Sequence, residues 1–284
     1  MFPPLAWPAE EISPLKEFAM RHAGCLLVIA PLMWWLCVCP CPAAEQNPAE
    51  STTKVGSTST RTGDAEVAKF LKDAGAEVQL DPKGRIQSIV APKDALADAD
   101  LAKLNGLAAL DSLEIGGAKI TDAGLANLSG LKGLVRLYVH DAEVTDAGLK
   151  HLAGLTNLEV LGLQSTRITG EGLGHLKGMT DLQVLNLAST KVGDDALAHL
   201  EGLSQLETIS LEGTKTTGAG LAHLKDLRRM RVLNLKQCDV APADLTHLVG
   251  LRNLKMLYVK DTKVDHSAAD KFKKKMNSLT IFFY

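Results

Sequence analysis

From residue 83 onward the apolar positions return every 24 residues. Blocks beginning at 83, 107, 131, 155, 179, 203, 227 and 251 align without insertion or deletion until the last. The fourth places read Ile86, Leu110, Leu134, Leu158, Leu182, Leu206, Met230 and Leu254. The seventh read Ile89, Leu113, Leu137, Leu161, Leu185, Ile209, Leu233 and Leu257, and the ninth read Ala91, Ile115, Val139, Leu163, Leu187, Leu211, Leu235 and Val259. Seventh and ninth places alternate with polar or variable ones, which is the period-2 mark of a strand buried on one face. Each block therefore predicts one short strand. Two later columns, Leu101 to Leu245 and Leu104 to Leu248, lie three residues apart and suit one or two helical turns. Thr121-Asp122, Thr145-Asp146 and Thr217 stand where those turns begin, and such residues cap the exposed amides of a helix N-terminus. One unit of this kind holds only half a core, so its leucines are buried by stacking on neighbours.

A stack exposes a leucine face and unpaired amides at each end, so both ends need cover. Residues 64–75 read as an amphipathic helix with Asp64 as cap and Gly75 as stop. Glu77 to Leu80 and Arg85 to Val90, around Asp81-Pro82-Lys83-Gly84, read as a hairpin entering the first repeat. After the repeats, Ala268 to Met276 predicts a final helix. Leu279 to Tyr284 predicts a closing strand in which Phe282 and Tyr284 continue the buried columns after a one-residue slip. The organisation read from the chain is an N-terminal extension and signal peptide over 1–44, a flexible linker over 45–63, an N-terminal cap over 64–82, repeats over 83–265 and a C-terminal cap over 266–284.

Segments such as Leu155-Thr156-Asn157-Leu158-Glu159-Val160-Leu161-Gly162-Leu163 and Ile120-Thr121-Asp122-Ala123-Gly124-Leu125 resemble leucine-rich repeats. The likeness covers about 200 of the 284 residues and is closest to the 24-residue repeats of secreted bacterial proteins, with a ribonuclease-inhibitor-like layout. It implies an α/β solenoid, wound as a right-handed superhelix, with a parallel strand stack on the concave face and short helices outside. One departure concerns the twelfth place. The family's usual Asn is here Ala118, Ala142, Thr166, Thr190, Thr214, Cys238 and Thr262. A hydroxyl can serve part of the turn's backbone ladder and alanine cannot, so the first two repeats are expected to be looser.

Composition narrows the remaining options. A hydrophobic share of 46% with 23% charge describes a folded chain, and a net charge of -2 leaves no basic excess for a phosphate backbone, which argues against nucleic acid. The run Ala23 to Val38 follows Arg21 and His22 and precedes Pro40, Pro42, Ala43 and Ala44, the order of a secretory signal peptide. The expected location is therefore extracytoplasmic, periplasmic or secreted, with membrane anchoring by that apolar segment as the alternative. Residues 45–63 are rich in Ser, Thr, Pro and Gly and read as a tether. Of five cysteines only Cys238 lies in the repeats, so no disulfide framework is available there.

The sixth, eighth and tenth places should tile one continuous strand face, because neighbouring strands lie roughly 4.8 Å apart. The partner-binding candidates on it are Arg136, Tyr138, His140, Gln164, Asn186, Glu212, Asn234, Lys236, Tyr258 and Lys260, with Arg136, Tyr138 and Tyr258 foremost because interface anchors favour Tyr and Arg. Val160, Val184 and Val232 make the middle strip small and partly apolar. Five of the eight histidines, His151, His175, His199, His223 and His247, share the twenty-first place; beside core leucines and without a recurrent carboxylate, they read as a structural column copied with the repeat. Gly124, Gly148, Gly172 and Gly220 read as turn residues of a tight winding. Lys271, Lys273, Lys274 and Lys275 read as the solvated face of the last helix. No nucleophile, base and orienting group recur at motif spacing, so the chain is expected to be no enzyme, to need no metal or cofactor, and to bind an unidentified protein as a monomer. Recognition of a carbohydrate or cell-wall polymer is the alternative.

Overall fold

The computed structural model describes residues 62–276 and 278–284. The signal-peptide reading and the tether up to residue 61 lie outside the described residues. A helix over Thr62–Asp73 leads into ten strands: β1 Glu77–Leu80, β2 Ile86–Val90, β3 Ser112–Gly116, β4 Arg136–His140, β5 Val160–Gly162, β6 Val184–Asn186, β7 Thr208–Ser210, β8 Val232–Asn234, β9 Met256–Tyr258 and β10 Thr280–Phe282. They form one sheet in sequence order. β1 pairs antiparallel with β2, and every later pair is parallel.

The 24-residue period is visible as strand register. Leu113, Leu137, Leu161, Leu185, Ile209, Leu233 and Leu257 are successive pairing partners. All seven are fully buried, as are the fourth-place residues from Leu134 to Leu254. Behind each strand lies a helical segment of one or two turns, such as Asp122–Leu128, Asp146–Leu149 and Glu171–Gly178. These segments present Leu125, Leu149 and Leu173, then Leu128, Leu152 and Leu176, to the same core. The architecture is thus an α/β solenoid with one continuous apolar interior.

Two devices hold the repeats together besides leucine packing. The capping threonines act locally as their position suggests: Thr121, Thr145 and Thr217 accept from the amides of Ala123, Ala147 and Ala219. An aspartate at the first place of a helical segment reaches into the next repeat. Asp98 takes both the amide (2.8 Å) and the hydroxyl (2.6 Å) of Thr121, and Asp122 does the same for Thr145. Asp194 takes both from Thr217. Asp146 accepts from the Thr169 amide and hydroxyl and from the amides of Gly170 and Gly172. Burial acts to raise the Asp146 pKa, but the hydrogen bonds from Thr169, Gly172 and Gly170 together hold it below the usual carboxylate value.

This staple corrects the reading of the recurrent glycines. Gly124, Gly148, Gly172 and Gly220 are not turn residues; they lie within the helical segments. A Cβ on Gly124, Gly148 or Gly220 would come within 3.0 Å of the carboxylate of Asp98, Asp122 or Asp194, and one on Gly172 would press on the Asp146 backbone. The bare Cα makes room for the staple. The turns take their own column, the eleventh place, where Asp141, Ser165, Ser189, Gln237 and Asp261 have φ between 52° and 59°, while Gly117 and Gly213 stand at 109° and 65°. One place on, Thr166, Thr190, Thr214 and Thr262 each donate a hydroxyl to the carbonyl three residues back at 2.7 Å. Ala118 lacks that hydroxyl, but its amide is held at 2.9 Å by Asp94 of the preceding repeat.

At the N-terminal end the helix begins at Thr62, two residues before Asp64, and buries Ala68 and Leu71. The β1–β2 turn is closed by Asp81, which accepts from the amides of Lys83 and Arg85. At the other end the last helix, His266–Lys273, starts two residues before Ala268 because Asp265 caps it by accepting from the Ala268 amide. The closing strand differs from the one-residue slip expected of it. β10 keeps the period, Ile281 pairing with Leu257 and Phe282 with Tyr258. Ile281 and Phe283 therefore face the core, while Phe282 stacks on Tyr258 and Tyr284 is 63% exposed. Backbone pairing decided the register, and the aromatics took the face it left them.

Gly148→Ala tests the staple, since alanine is the better helix former by about 1 kcal/mol. We expect the opposite outcome, a loss of about 1–3 kcal/mol in denaturant unfolding, from overpacking against Asp122. Asp146→Asn should cost about 1–2 kcal/mol at neutral pH, allowing for partial exposure. A depressed folded-state pKa stabilises above the unfolded value and ceases to do so as pH falls through the folded one. The difference in melting temperature between wild type and Asp146→Asn should accordingly be constant near neutrality and shrink below about pH 3.8.

Candidate functional site

Helical segments cover one face of the sheet, and the sixth, eighth and tenth places form the other. On that face the candidates fall into two groups separated by a strip of small residues. The first centres on β4. Arg136 pairs through Nη2 with Asp111 Oδ1 at 2.7 Å, and Asp111 also accepts from Gln87 at 2.8 Å. Tyr138 lies over Gly162, where a Cβ would strike its ring, and the Gln164 side chain closes on the same glycine. Burial pushes the Tyr138 phenol up, and the Glu114 carboxylate pushes in the same direction. His140 lies over Gly116, its Nδ1 3.1 Å from Asp141 and its Nε2 3.8 Å from Glu114. Two glycines on neighbouring strands thus seat two rings of β4.

The second group spans β7 to β10. Glu212 accepts from Asn234 Nδ2 at 2.8 Å, and Asn234 Oδ1 accepts from the Lys236 amide. Lys236 lies with its ammonium 5.3 Å from the Tyr258 ring centre. Tyr258 and Phe282 stack at 4.6 Å, and Lys260 is exposed beyond them. Asn186 stands between the groups and uses its oxygen locally, on the Ala188 amide. Asn186 and Asn234 are thereby committed to turns of their own repeats, a role that their eighth-place position did not reveal.

The strip between the groups runs through Val160, Gly162, Val184, Asn186, Thr208, Ser210 and Val232. Thr208 is 4% exposed and Val232 9%, so the strip is recessed beneath the larger side chains on either side. Among the described residues two buried side-chain polar atoms have no hydrogen-bond partner, Gln164 Oε1 and Ser210 Oγ, and both belong to this face. An orphaned buried acceptor or hydroxyl is costly, typically by about 1–3 kcal/mol. A ligand group that reached either atom would recover that cost. The Asp111–Arg136–Gln87 network was missed in the sequence because Gln87 and Asp111 occupy the fifth place, outside the alternating set. The 24-residue separation of Gln87 and Asp111 was the available signal.

Other chemistry-bearing residues lie off this face. Cys238 is 2% exposed and its thiol lies 3.0 Å from the Leu211 carbonyl; burial pushes its pKa up. The five repeat histidines stand on the helical side, half-buried or exposed, and His223 has a carboxylate neighbour in Glu201 at 2.7 Å. Among the described residues no three His, Cys, Asp or Glu side chains are placed to hold a metal ion, and no helix is long and apolar enough to cross a membrane.

The burial of Tyr138 makes a spectroscopic prediction. Phenolate absorbance followed on raising pH should show a component titrating above the ordinary value near 10, and Tyr138→Phe should remove it. Loss of an ordinary component instead would place this ring in water.

No protein-family model and no curated protein matches the chain. Solved structures do. Internalin C2 from Listeria monocytogenes is similar at TM-score 0.57 and 20% identity over 78% of this chain and 93% of that one. A leucine-rich-repeat protein from Leptospira interrogans is similar at TM-score 0.54 and 19% identity, over 64% of this chain and 45% of that one. A plant peptide hormone receptor, solved in complex with RGF2, is similar at TM-score 0.50 and 14% identity over 72% of this chain and 36% of its own. This chain thus spans less than half of the latter two. Repeat length, in-register parallel strands and these likenesses together establish the leucine-rich-repeat fold for the described residues of this chain.

Proposed function

We propose that the chain is a non-catalytic protein-binding module that engages its partner on the strand face. The observation that carries this reading is the coincidence, on one face, of half-buried rings, a recessed strip and two unpartnered polar atoms, Gln164 Oε1 beside the Tyr138 ring and Ser210 Oγ in the strip. Tyr and Arg are the side chains that anchor interfaces, because they bury large area at small entropic cost and keep a polar tip. The neighbour solved in complex with RGF2 gives a precedent for partner binding on this fold. The non-catalytic reading is supported by Cys238, whose thiol is buried and whose pKa that burial pushes up.

The reading includes export. It rests on the Ala23 to Val38 run, so the working location is outside the cytoplasm, periplasmic or secreted, and the partner is a protein met there. The protein is proposed to work as a monomer.

Immobilised full-length chain should capture a partner whose affinity is then measurable by calorimetry. Tyr138→Ala should weaken that binding by at least about tenfold, in keeping with central interface anchors. Arg136→Ala should weaken it less, since part of its charge is already answered by Asp111. Neither should unfold the domain by circular dichroism. Undiminished affinity in Tyr138→Ala, with the fold intact, would move the site off the strand face.

A further inference from the structure

Charge is unevenly divided along the solenoid. Residues 62–224 carry 22 acidic against 14 basic side chains, whereas residues 225–284 carry 13 basic against 6 acidic. The near-neutral total conceals a molecule with a strongly acidic body and a basic end. Within the last turn, residues 250–284, the count is eight basic to three acidic. Arg252, Lys255, Lys260, Lys263, Lys271, Lys273, Lys274 and Lys275 are all exposed there.

The helix His266–Lys273 buries Ala269 and Phe272 against the core, with Met276 just beyond it, and leaves its lysines to the outside. Of the three acids of this turn, Asp265 caps the helix while Asp261 and Asp270 are exposed among the lysines; outside the turn, Asp239 pairs with Lys263. Tyr284 stands 63% exposed at the same end.

We propose that this end of the solenoid docks on an anionic lipid surface. Three features favour a lipid surface over a linear polyanion. Seven of the eight cations are lysines, compact point charges on flexible stems, whereas recognition of regularly spaced acidic groups favours the rigid forks of arginine. They lie around the terminal turn and not along a groove that would track a chain. An exposed tyrosine beside them is an amphipathic ring suited to the headgroup region. The acidic body adds orientation, since an anionic plane repels it while attracting the end. Docked in this way, the solenoid would stand on the surface with the strand face of β3 to β8 free and only its Lys260 and Tyr284 margin in contact. The inference is independent of what the strand face binds.

The test is sedimentation of the full-length chain with vesicles of phosphatidylcholine alone or mixed with 30% phosphatidylglycerol. Each lysine near such a surface contributes about a fivefold factor in partitioning. K271Q/K273Q/K274Q/K275Q should therefore lower partitioning onto the mixed vesicles by about 100-fold or more, with an unchanged melting curve. K119Q/K150Q/K177Q/K191Q, made in the acidic body, should leave it unaltered. High salt should abolish the wild-type preference for the mixed vesicles. Equal partitioning of wild type onto both vesicle types would overturn the proposal. So would equal losses in the two quadruple variants, or binding to polyglutamate or duplex DNA without binding to the mixed vesicles.

Discussion

The stacking of one apolar side chain directly on its equivalent from the repeat before underlies the rest of this structure. Leu137 on Leu161 on Leu185 is a contact between residues that share a register because the chain takes 24 residues to return. Each repeat alone would leave its leucines half in water, so the stability of any one turn is lent by its neighbours. A helix and hairpin pack against the repeats on one side, and a helix and strand on the other.

Packing of that kind is nondirectional, and it does not by itself fix how repeats sit on one another. The polar staple does. At four junctions a carboxylate at the head of one helical segment receives the amide and hydroxyl of a threonine at the head of the next, so those turns are indexed on one another by charge-assisted hydrogen bonds. The close approach this demands removes the Cβ from Gly124, Gly148 and Gly220. Where Gly170 replaces the aspartate, the chain has φ of 122° and Asp146 serves its amide instead. The repeat is therefore a leucine pattern to which, at four junctions, a small polar pin is added.

Burying one face of every strand leaves the opposite face as the variable one. Rings laid over glycines, a recessed strip and two orphaned polar atoms lie on it, and the proposed partner binding rests on them. The charge is divided between the body of the solenoid and the terminal turn, so the proposed partner on the strands and the proposed surface beneath the end are compatible.

How much of this was legible in the residues follows from the range of the interactions involved. Period, strand positions, helical columns and the capping threonines were written in the chain, because each depends on spacing that recurs within one or two repeats. The alternating places also put the ten candidate residues on one sheet face. Their grouping came only with the tertiary structure, since whether Arg136 meets Asp111 or Tyr138 covers Gly162 depends on side-chain direction across adjacent strands. The recurrent glycines were misread as turn formers because sequence records a missing side chain without recording what occupies its place. The closing aromatics were misplaced for a related reason. Hydrophobicity alone favoured burying Phe282, but the backbone pairing of Ile281 with Leu257 preserved the period and turned that ring outward onto Tyr258. Sequence determined what repeats; contact between repeats, which only the folded chain brings about, decided what each repeated residue touches.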